Sequence, residues 1–213
     1  MKIGILTYHA IINDGSVLQT LAISRLVKSR YPEATVEVID YVPRTLRRFN
    51  RRCLFTKRPP FVRLSQLARQ RNLQNFLSDE VHLSSEKLIG DSFTEGQEFI
   101  RRQLYDLVVV GSDTVFDFRP RNHMPVAPSV YFNPGVVPRI GLSVSADPFR
   151  ADTVIEEELK GFLRESISGY AAIGFRDKAT QNFLEMLDIN SETLHFTPDP
   201  TLLTDLSDLP INP

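Results

Sequence analysis

The 213-residue sequence contains a single cysteine, Cys53, and no long hydrophobic run. One cysteine excludes an internal disulfide framework and fits a reducing compartment. The longest apolar runs, such as residues 107–110, are far shorter than a membrane span. The apolar run after Met1 is too brief for a signal peptide. We therefore expect a cytoplasmic protein.

Several signatures of common chemistry are absent from the sequence. It has no Gly-x-Gly-x-x-Gly fingerprint, no Walker lysine and no Gly-x-Ser-x-Gly elbow, so nothing indicates a dinucleotide, P-loop or hydrolase site. Its four histidines are scattered without metal-ligand spacing, and we expect no metal site. A net charge of -1 argues against a nucleic-acid partner, which would favour a strong basic excess.

Acidic residues are missing from one long internal stretch. Residues 41–78 contain ten Lys or Arg residues and no Asp or Glu, with the basic positions running from Arg44 to Arg71. Two interpretations stay open. The segment is either a solvated helix face with a loop around Lys57 and Arg58, or a patch for an anionic partner such as a membrane leaflet or a diphosphate-bearing substrate. The second would place the protein peripherally at the inner face of a membrane.

Short apolar runs alternate with helical patterns along the chain. Strand-like runs at residues 3–6 and 36–39 flank a helical pattern that ends before Pro32, which predicts a βαβ unit with parallel strands. Further strands are expected at residues 107–110, 140–144, 171–175 and 194–196, and residues 43–103 look mostly helical with a possible short strand at 81–83.

This pattern predicts an α/β protein with a Rossmann-like, open, mostly parallel sheet and helices on both faces. We expect one domain over residues 1–203, with a basic helical insertion at about 43–103. Residues 204–213 would be a tail or the start of a linker to a missing second domain.

Small polar clusters follow several of the predicted strands. In an open α/β sheet, ligands bind beyond the carboxyl ends of the strands, so each cluster is a candidate site. The residues after the first strand, Asn13, Gly15 and Ser16, could offer backbone N–H groups to an anion. A plain helix cap explains them equally simply, and Asp14 would repel an anion, so the cap is the favoured interpretation.

Later clusters offer groups with acid–base or anion-binding chemistry. Gly111 permits a sharp turn that aims Ser112 and Asp113 at the crevice, where Asp113 could orient or deprotonate a sugar hydroxyl; the alternative is a local cap. Ser145 would share one strand face with Ser143 and Asp147. The planar fork of Arg176 suits a carboxylate or phosphate, although a salt bridge is at least as common.

The order of these clusters resembles the polysaccharide pyruvyl transferase family. Matching stretches occur, in chain order, at residues 2–6, 13–19, 105–113, 131–132, 143–149, 176–177 and 199–203. Gly111-Ser112-Asp113 corresponds to the family's Gly-Ser-Asp-x-x-Trp motif, and Phe116 replaces the tryptophan while keeping an aromatic ring. Asp147 and Pro148 interrupt a run that in the family resembles Ser-Tyr-Ala-Ala-Ser-Phe-Gly.

The resemblance implies transfer of a pyruvyl group from phosphoenolpyruvate to a sugar of a cell-surface polysaccharide or its lipid-linked precursor, as in exopolysaccharide biosynthesis. It implies phosphoenolpyruvate as donor substrate without a further cofactor. It also implies two facing Rossmann-like domains, a GT-B-like fold, of which this chain resembles the first. On this basis Asp113 and Arg176 would be catalytic. The residues implied in substrate binding are Asn13, Gly15, Ser16, Gly111, Ser112, Phe116 and Ser145.

Two alternatives to a complete transferase stay open. The family's second domain carries a Ser/Thr-Asp-Ser-Phe-His-Gly-type motif that this sequence lacks, so we expect the second catalytic domain to be absent. The chain could instead be a non-catalytic module that binds sugars or anions. It could also be a sugar-nucleotide glycosyltransferase-like domain of similar architecture.

Overall fold

A computed structural model describes residues 1–55, 59–118, 130–132, 137–146 and 155–209 of the protein. Over these ranges the fold is built on one open, seven-stranded sheet, and all neighbouring strands are parallel. This confirms the predicted Rossmann-like class and shows that the sheet is parallel throughout. The strands are β1 (Lys2–Leu6), β2 (Thr35–Val42), β3 (Leu83–Ile89), β4 (Leu107–Val110), β5 (Arg139–Val144), β6 (Ala172–Phe175) and β7 (Leu194–Phe196).

Helices cover both faces of the sheet. They are α1 (Asp14–Arg30), α2 (Arg44–Phe55), α3 (Pro60–Glu80), α4 (Phe93–Arg102), α5 (Glu157–Ser168) and α6 (Lys178–Met186), with 3-10 turns at Ser191–Thr193 and Pro200–Leu202. Because successive strand side chains point to opposite faces, Ile5 and Leu6 of β1 belong to different cores. The core around Ile5 packs against α1 and α3, and the core around Leu6 packs against α4, α5 and α6.

The strand order is β3-β2-β1-β4-β5-β6-β7, so β1 lies at the centre and pairs with β2 on one side and β4 on the other. Ile5 is opposite Val38 in one pair and Val109 in the next. Strand order reverses at this point, and in doubly wound sheets the crevice at the reversal is where ligands bind. The topology therefore directs attention to the loops that follow β1 and β4.

The segment from residue 43 to 103 contributes to the sheet as well as to the helical layer. The short strand expected at residues 81–83 is instead β3, which pairs with β2 from Val38–Leu83 to Val42–Ile89. Three successive residues of β3, Ser85 to Lys87, are exposed. The sequence signal was weak because an edge strand carries polar residues where it faces water.

No helix in the described ranges combines the length and apolar character needed to cross a bilayer.

Candidate substrate-binding rim

The turn after β4 forms the centre of the candidate site. Gly111 has φ 128°, and a Cβ added there would lie 2.1 Å from the carbonyl oxygen of Leu142. A larger residue is therefore excluded both by conformation and by space. Ser112 is fully buried, and its carbonyl accepts a hydrogen bond from Thr7 Oγ1 at 3.3 Å. The chain then turns at Asp113, which has φ 86°, and this brings the carboxylate to the surface.

Asp113 links the loops after β1 and β4. Its Oδ2 accepts a hydrogen bond from Ser16 Oγ at 2.8 Å, and its Oδ1 accepts one from the Thr114 backbone N–H at 2.7 Å. The side chain is 19% exposed, so the carboxylate borders solvent. A carboxylate has about four lone-pair sites, and Asp113 therefore retains acceptor capacity toward the crevice.

Arg176, which follows β6, lies between two carboxylates. Its Nη1 donates to Asp199 Oδ2 at 3.0 Å, and its Nη2 is 4.0 Å from Asp113 Oδ1. Gln19 of α1 also donates to Asp199 Oδ2. Loops after β1, β4, β6 and β7 thus meet through contacting side chains. We call Ser16, Gln19, Asp113, Arg176 and Asp199 the rim cluster.

Asp199 is saturated with hydrogen-bond donors. Its Oδ1 accepts the backbone N–H of Thr201 at 3.1 Å and the Thr201 hydroxyl at 2.7 Å, while Oδ2 accepts from Gln19 and Arg176. Burial opposes ionisation, but the Thr201 hydrogen bonds, the Gln19 hydrogen bond and the Arg176 charge together hold the pKa of Asp199 below its usual value. Asp199 is thereby fixed as an anion that orients Arg176.

The loop before α1 caps the helix, as the sequence predicted. Asn13 Oδ1 accepts the Gly15 backbone N–H at 2.8 Å. Asp14 forms a 2.5 Å ion pair with Arg69 of α3, so its charge is compensated. Asn13 and Gly15 are exposed beside the rim cluster, and Ser16 is buried with its hydroxyl engaged by Asp113.

Phe116 does not lie at the rim. It is fully buried, and its ring stacks on Phe132 at a centroid distance of 5.7 Å and packs edge-on against Tyr170 at 5.5 Å. The backbone turn at Asp113 sends the next residues inward, so the ring presents no face to a sugar. The same turn buries Ser112. The structure thus places Phe116 and Ser112 in the interior of the described fold and does not bring their side chains to the rim cluster.

The regular alternation that predicted one shared face for the serines at positions 143 and 145 is interrupted at Ser143. Ser143 has φ 53° where the β5–β6 register shifts, and its hydroxyl donates to the Pro198 carbonyl at 2.6 Å. Ser145 is buried, and its backbone N–H donates to the Asp113 carbonyl at 2.9 Å. Ser145 thus supports the Asp113 turn through its backbone. Asp147, the third member of the predicted set, lies outside the described residues.

Two members of the rim cluster, Gln19 and Asp199, were not predicted as site residues from the sequence. Both fall inside matched stretches of the sequence, yet nothing local indicates that they meet.

A second cluster joins His9, Asp40 and Lys87. His9 Nε2 lies 3.0 Å from Asp40 Oδ1, and Lys87 Nζ donates to both carboxylate oxygens at 3.1 and 3.0 Å. Burial opposes ionisation of Asp40, but these partners keep its pKa below the usual value.

The rim cluster has a defined charge balance. It combines two carboxylates with one guanidinium and is therefore net negative. Among the described residues, no group of three or more His, Cys, Asp or Glu side chains could hold a metal ion. Asp113 can accept hydrogen bonds from the hydroxyl groups of a ligand, and the N–H groups of Arg176 can donate to a ligand carboxylate.

The fold is that of a Rossmann-like α/β domain, and the rim cluster lies where its strand order reverses. The family model for polysaccharide pyruvyl transferase matches residues 13–212. This chain belongs to that family. A comparison with curated proteins found no match.

Proposed function

We propose that the chain acts in pyruvyl transfer from phosphoenolpyruvate to a sugar of a cell-surface polysaccharide or its lipid-linked precursor. The single observation that carries the proposal is the convergence of Ser16, Asp113, Arg176 and Asp199 at the switch point. Family membership supplies the reaction class, and the geometry supports a role for each group.

The reaction needs a proton relay between sugar and donor. Phosphoenolpyruvate gains a proton on its methylene carbon, and the adjacent carbon becomes cationic. Two sugar hydroxyls then bond to that carbon and phosphate leaves, so that a pyruvate ketal forms. One of the two hydroxyl protons replaces the proton that the methylene carbon gained, and the other leaves on hydrogen phosphate. A positioned carboxylate can accept such a proton.

Asp113 is the group we propose for orienting and deprotonating the acceptor hydroxyl. Ser16 and Thr114 fix its carboxylate from one side, and the partly exposed side retains acceptor sites. Asp199 cannot take this role, because its oxygens already accept four hydrogen bonds. The two carboxylates therefore differ in function although they flank the same arginine.

Arg176 is the group we propose for holding the carboxylate of the donor. A guanidinium has five N–H donors, and one of these reaches a described acceptor in the rim cluster. Fixed by Asp199, the guanidinium is already ordered before a ligand arrives, which lowers the entropy cost of binding. Because the cluster is net negative, we propose that the donor phosphate is held by cations on a second lobe facing this rim.

Phosphate release tests the reaction. The full chain is incubated with phosphoenolpyruvate and a panel of hexoses and N-acetylhexosamines, and phosphorus NMR follows donor and free phosphate. Acceptor-dependent phosphate release supports the proposal. Saturation-transfer NMR on the same panel, with Asp113→Asn as the comparison, locates binding at the rim even if turnover needs a facing lobe. Sugar and phosphoenolpyruvate binding that is absent, or unaffected by Asp113→Asn, would contradict it.

The same assays select between the two alternatives. Binding of a nucleoside diphosphate sugar with no response to phosphoenolpyruvate would assign a glycosyltransferase-like role. Sugar affinity without turnover, even beside a complete catalytic domain, would assign a non-catalytic binding module. The net negative charge of the rim cluster favours a sugar over an anion as the ligand of such a module.

A further inference from the structure

Over residues 44–52 of α2, every exposed position is an arginine. These arginines occupy positions i, i+3, i+4, i+7 and i+8 of the helix, which share one side, and all are exposed: Arg44, Arg47, Arg48, Arg51 and Arg52. Ion pairs between described residues include none of these five side chains. The nearby Asp91 carboxylate accepts instead from Thr45. The cationic face is therefore uncompensated within the described structure.

An apolar stripe is exposed on the next helix. Phe61, Leu64 and Leu67 of α3 are 72%, 67% and 45% exposed. They are spaced three residues apart and so run along one side of the helix. Large apolar side chains grouped on a surface indicate contact with a partner or a membrane. Arg71 is exposed one turn beyond Leu67, so the stripe ends in a cation.

The arginine face adjoins the apolar stripe at the end of the stripe that carries Leu67. Arg47 and Arg51 line a groove together with Gln70 and Gln74 of α3. Both glutamines also line the adjoining depression that contains Leu67 and Arg71. The two helices thus present cations and apolar groups side by side. We call residues 44–52 and 61–71 the basic-apolar surface.

We propose that the basic-apolar surface docks the protein on an anionic lipid bilayer. Five arginines spread over a helix about 18 Å long match an extended anionic surface rather than one phosphate group. The apolar stripe gives the second component, since interfacial binding combines buried apolar area with attraction to anionic headgroups. A nucleic-acid backbone would use the arginines but leave Phe61 and Leu64 without a role.

The docking proposal is separate from the proposed transferase activity. No residue of the basic-apolar surface belongs to the rim cluster, and membrane binding is measured without donor or acceptor. If phosphate release fails and vesicle binding succeeds, the docking proposal stands alone.

The test is vesicle cosedimentation of the full chain. One set of vesicles is phosphatidylcholine, and the other contains about a third phosphatidylglycerol. We expect binding to the anionic vesicles at low salt and release at high salt. The variants Arg47→Gln/Arg51→Gln and Phe61→Ser/Leu64→Ser should each weaken binding about tenfold or more.

Matched controls remove the same kinds of groups elsewhere. Arg101→Gln/Arg102→Gln deletes two exposed arginines from α4, and Leu104→Ser deletes a leucine that is 79% exposed. Both should bind anionic vesicles like the parent chain. Thermal melts of every variant confirm that the fold is retained. Equal binding to the two vesicle types, or unchanged binding by either surface variant, would overturn the proposal.

Two other occupants give distinct outcomes. A dimer in solution that Phe61→Ser/Leu64→Ser dissociates, with no vesicle binding, would assign the surface to a second copy of the chain. Salt-sensitive binding to an oligonucleotide duplex that is tighter than binding to vesicles would assign it to nucleic acid. Either result contradicts the bilayer proposal.

Discussion

Ser16 donates a hydrogen bond of 2.8 Å to Asp113, a residue 97 positions further along the chain. Ser16 lies in the first turn of α1, which follows β1, and Asp113 follows β4, so this bond spans the point where strand order reverses. Ligand crevices form at such reversals because the connecting chains diverge to opposite faces. The bond therefore fixes the Asp113 carboxylate at the position where this type of fold favours a ligand site.

Replacing Asp113 with Asn should remove activity while preserving the fold. An asparagine oxygen can still accept from Thr114 or Ser16, but it cannot take a proton from a sugar hydroxyl. We expect at least a hundredfold loss of turnover and a change in unfolding free energy within about 1 kcal/mol. Phosphate release and denaturant unfolding measure the two quantities. Retained turnover in the Asn variant would remove Asp113 from the mechanism.

Arg176 can be separated into its structural and ligand-binding roles. Arg176→Ala breaks a partly exposed ion pair with Asp199, which should cost about 1 kcal/mol or less. Ligand binding should fall much further. Arg176→Lys keeps the charge but not the planar fork, and should restore stability more than affinity. A large loss of stability with unaltered binding would show that Arg176 serves the fold alone.

Gly111 and Gly161 form a matched pair for a backbone test. At Gly111 an added Cβ would approach the Leu142 carbonyl oxygen to 2.1 Å, whereas at Gly161 of α5 nothing lies within 4 Å. Gly111→Ala should lower the unfolding free energy by about 3 kcal/mol or more. Gly161→Ala should raise it by about 0.5–1 kcal/mol, since alanine favours helices. Denaturant melts check both, and similar effects at the two sites would contradict the observed turn.

Asp40 should make stability depend on acid pH. Its folded pKa is lowered by His9 and Lys87, whose effect outweighs burial. The ionised Asp40 carboxylate therefore stabilises the folded state. This stabilisation is fully present above the pKa of the unfolded chain, about 3.9, and is lost as pH falls through the lower pKa of the folded state. Asp40→Asn should cost about 1–3 kcal/mol at neutral pH and flatten this part of the pH profile.

Unfolding free energies from pH 7 down to about 3 measure the Asp40 contribution as the difference between parent and variant. Asp79→Asn on α3 removes an exposed carboxylate and serves as the control. A variant profile parallel to that of the parent chain would show that Asp40 is not responsible.

Much of the fold follows from local patterns in the sequence. Buried strands such as β4 are continuous apolar runs, and the loops after them were expected to converge because parallel strands end at one edge. Strand β3 was mostly missed because its exposed positions are polar. The helix cap at residues 13–16 was anticipated from residue types alone, since capping is decided within three residues.

The candidate site was only partly predictable. Asp113 and Arg176 stood out as charged residues after strands, and the structure brings them within 4.0 Å. Gln19 and Asp199 did not stand out in the sequence, because their contact joins positions 180 residues apart. The burial of Phe116 was not foreseen, because no sequence pattern reveals the inward turn after Asp113. Contacts of this kind depend on tertiary geometry.

The central position of β1 also constrains how the chain assembles. Both of its edges are paired only once β4 has been added, because β2 covers one edge and β4 the other. During synthesis, the amino-terminal strand keeps one edge unsatisfied until residue 110 has left the ribosome. An unpaired edge of this kind invites aggregation, so slowing translation before β4 should lower the soluble yield.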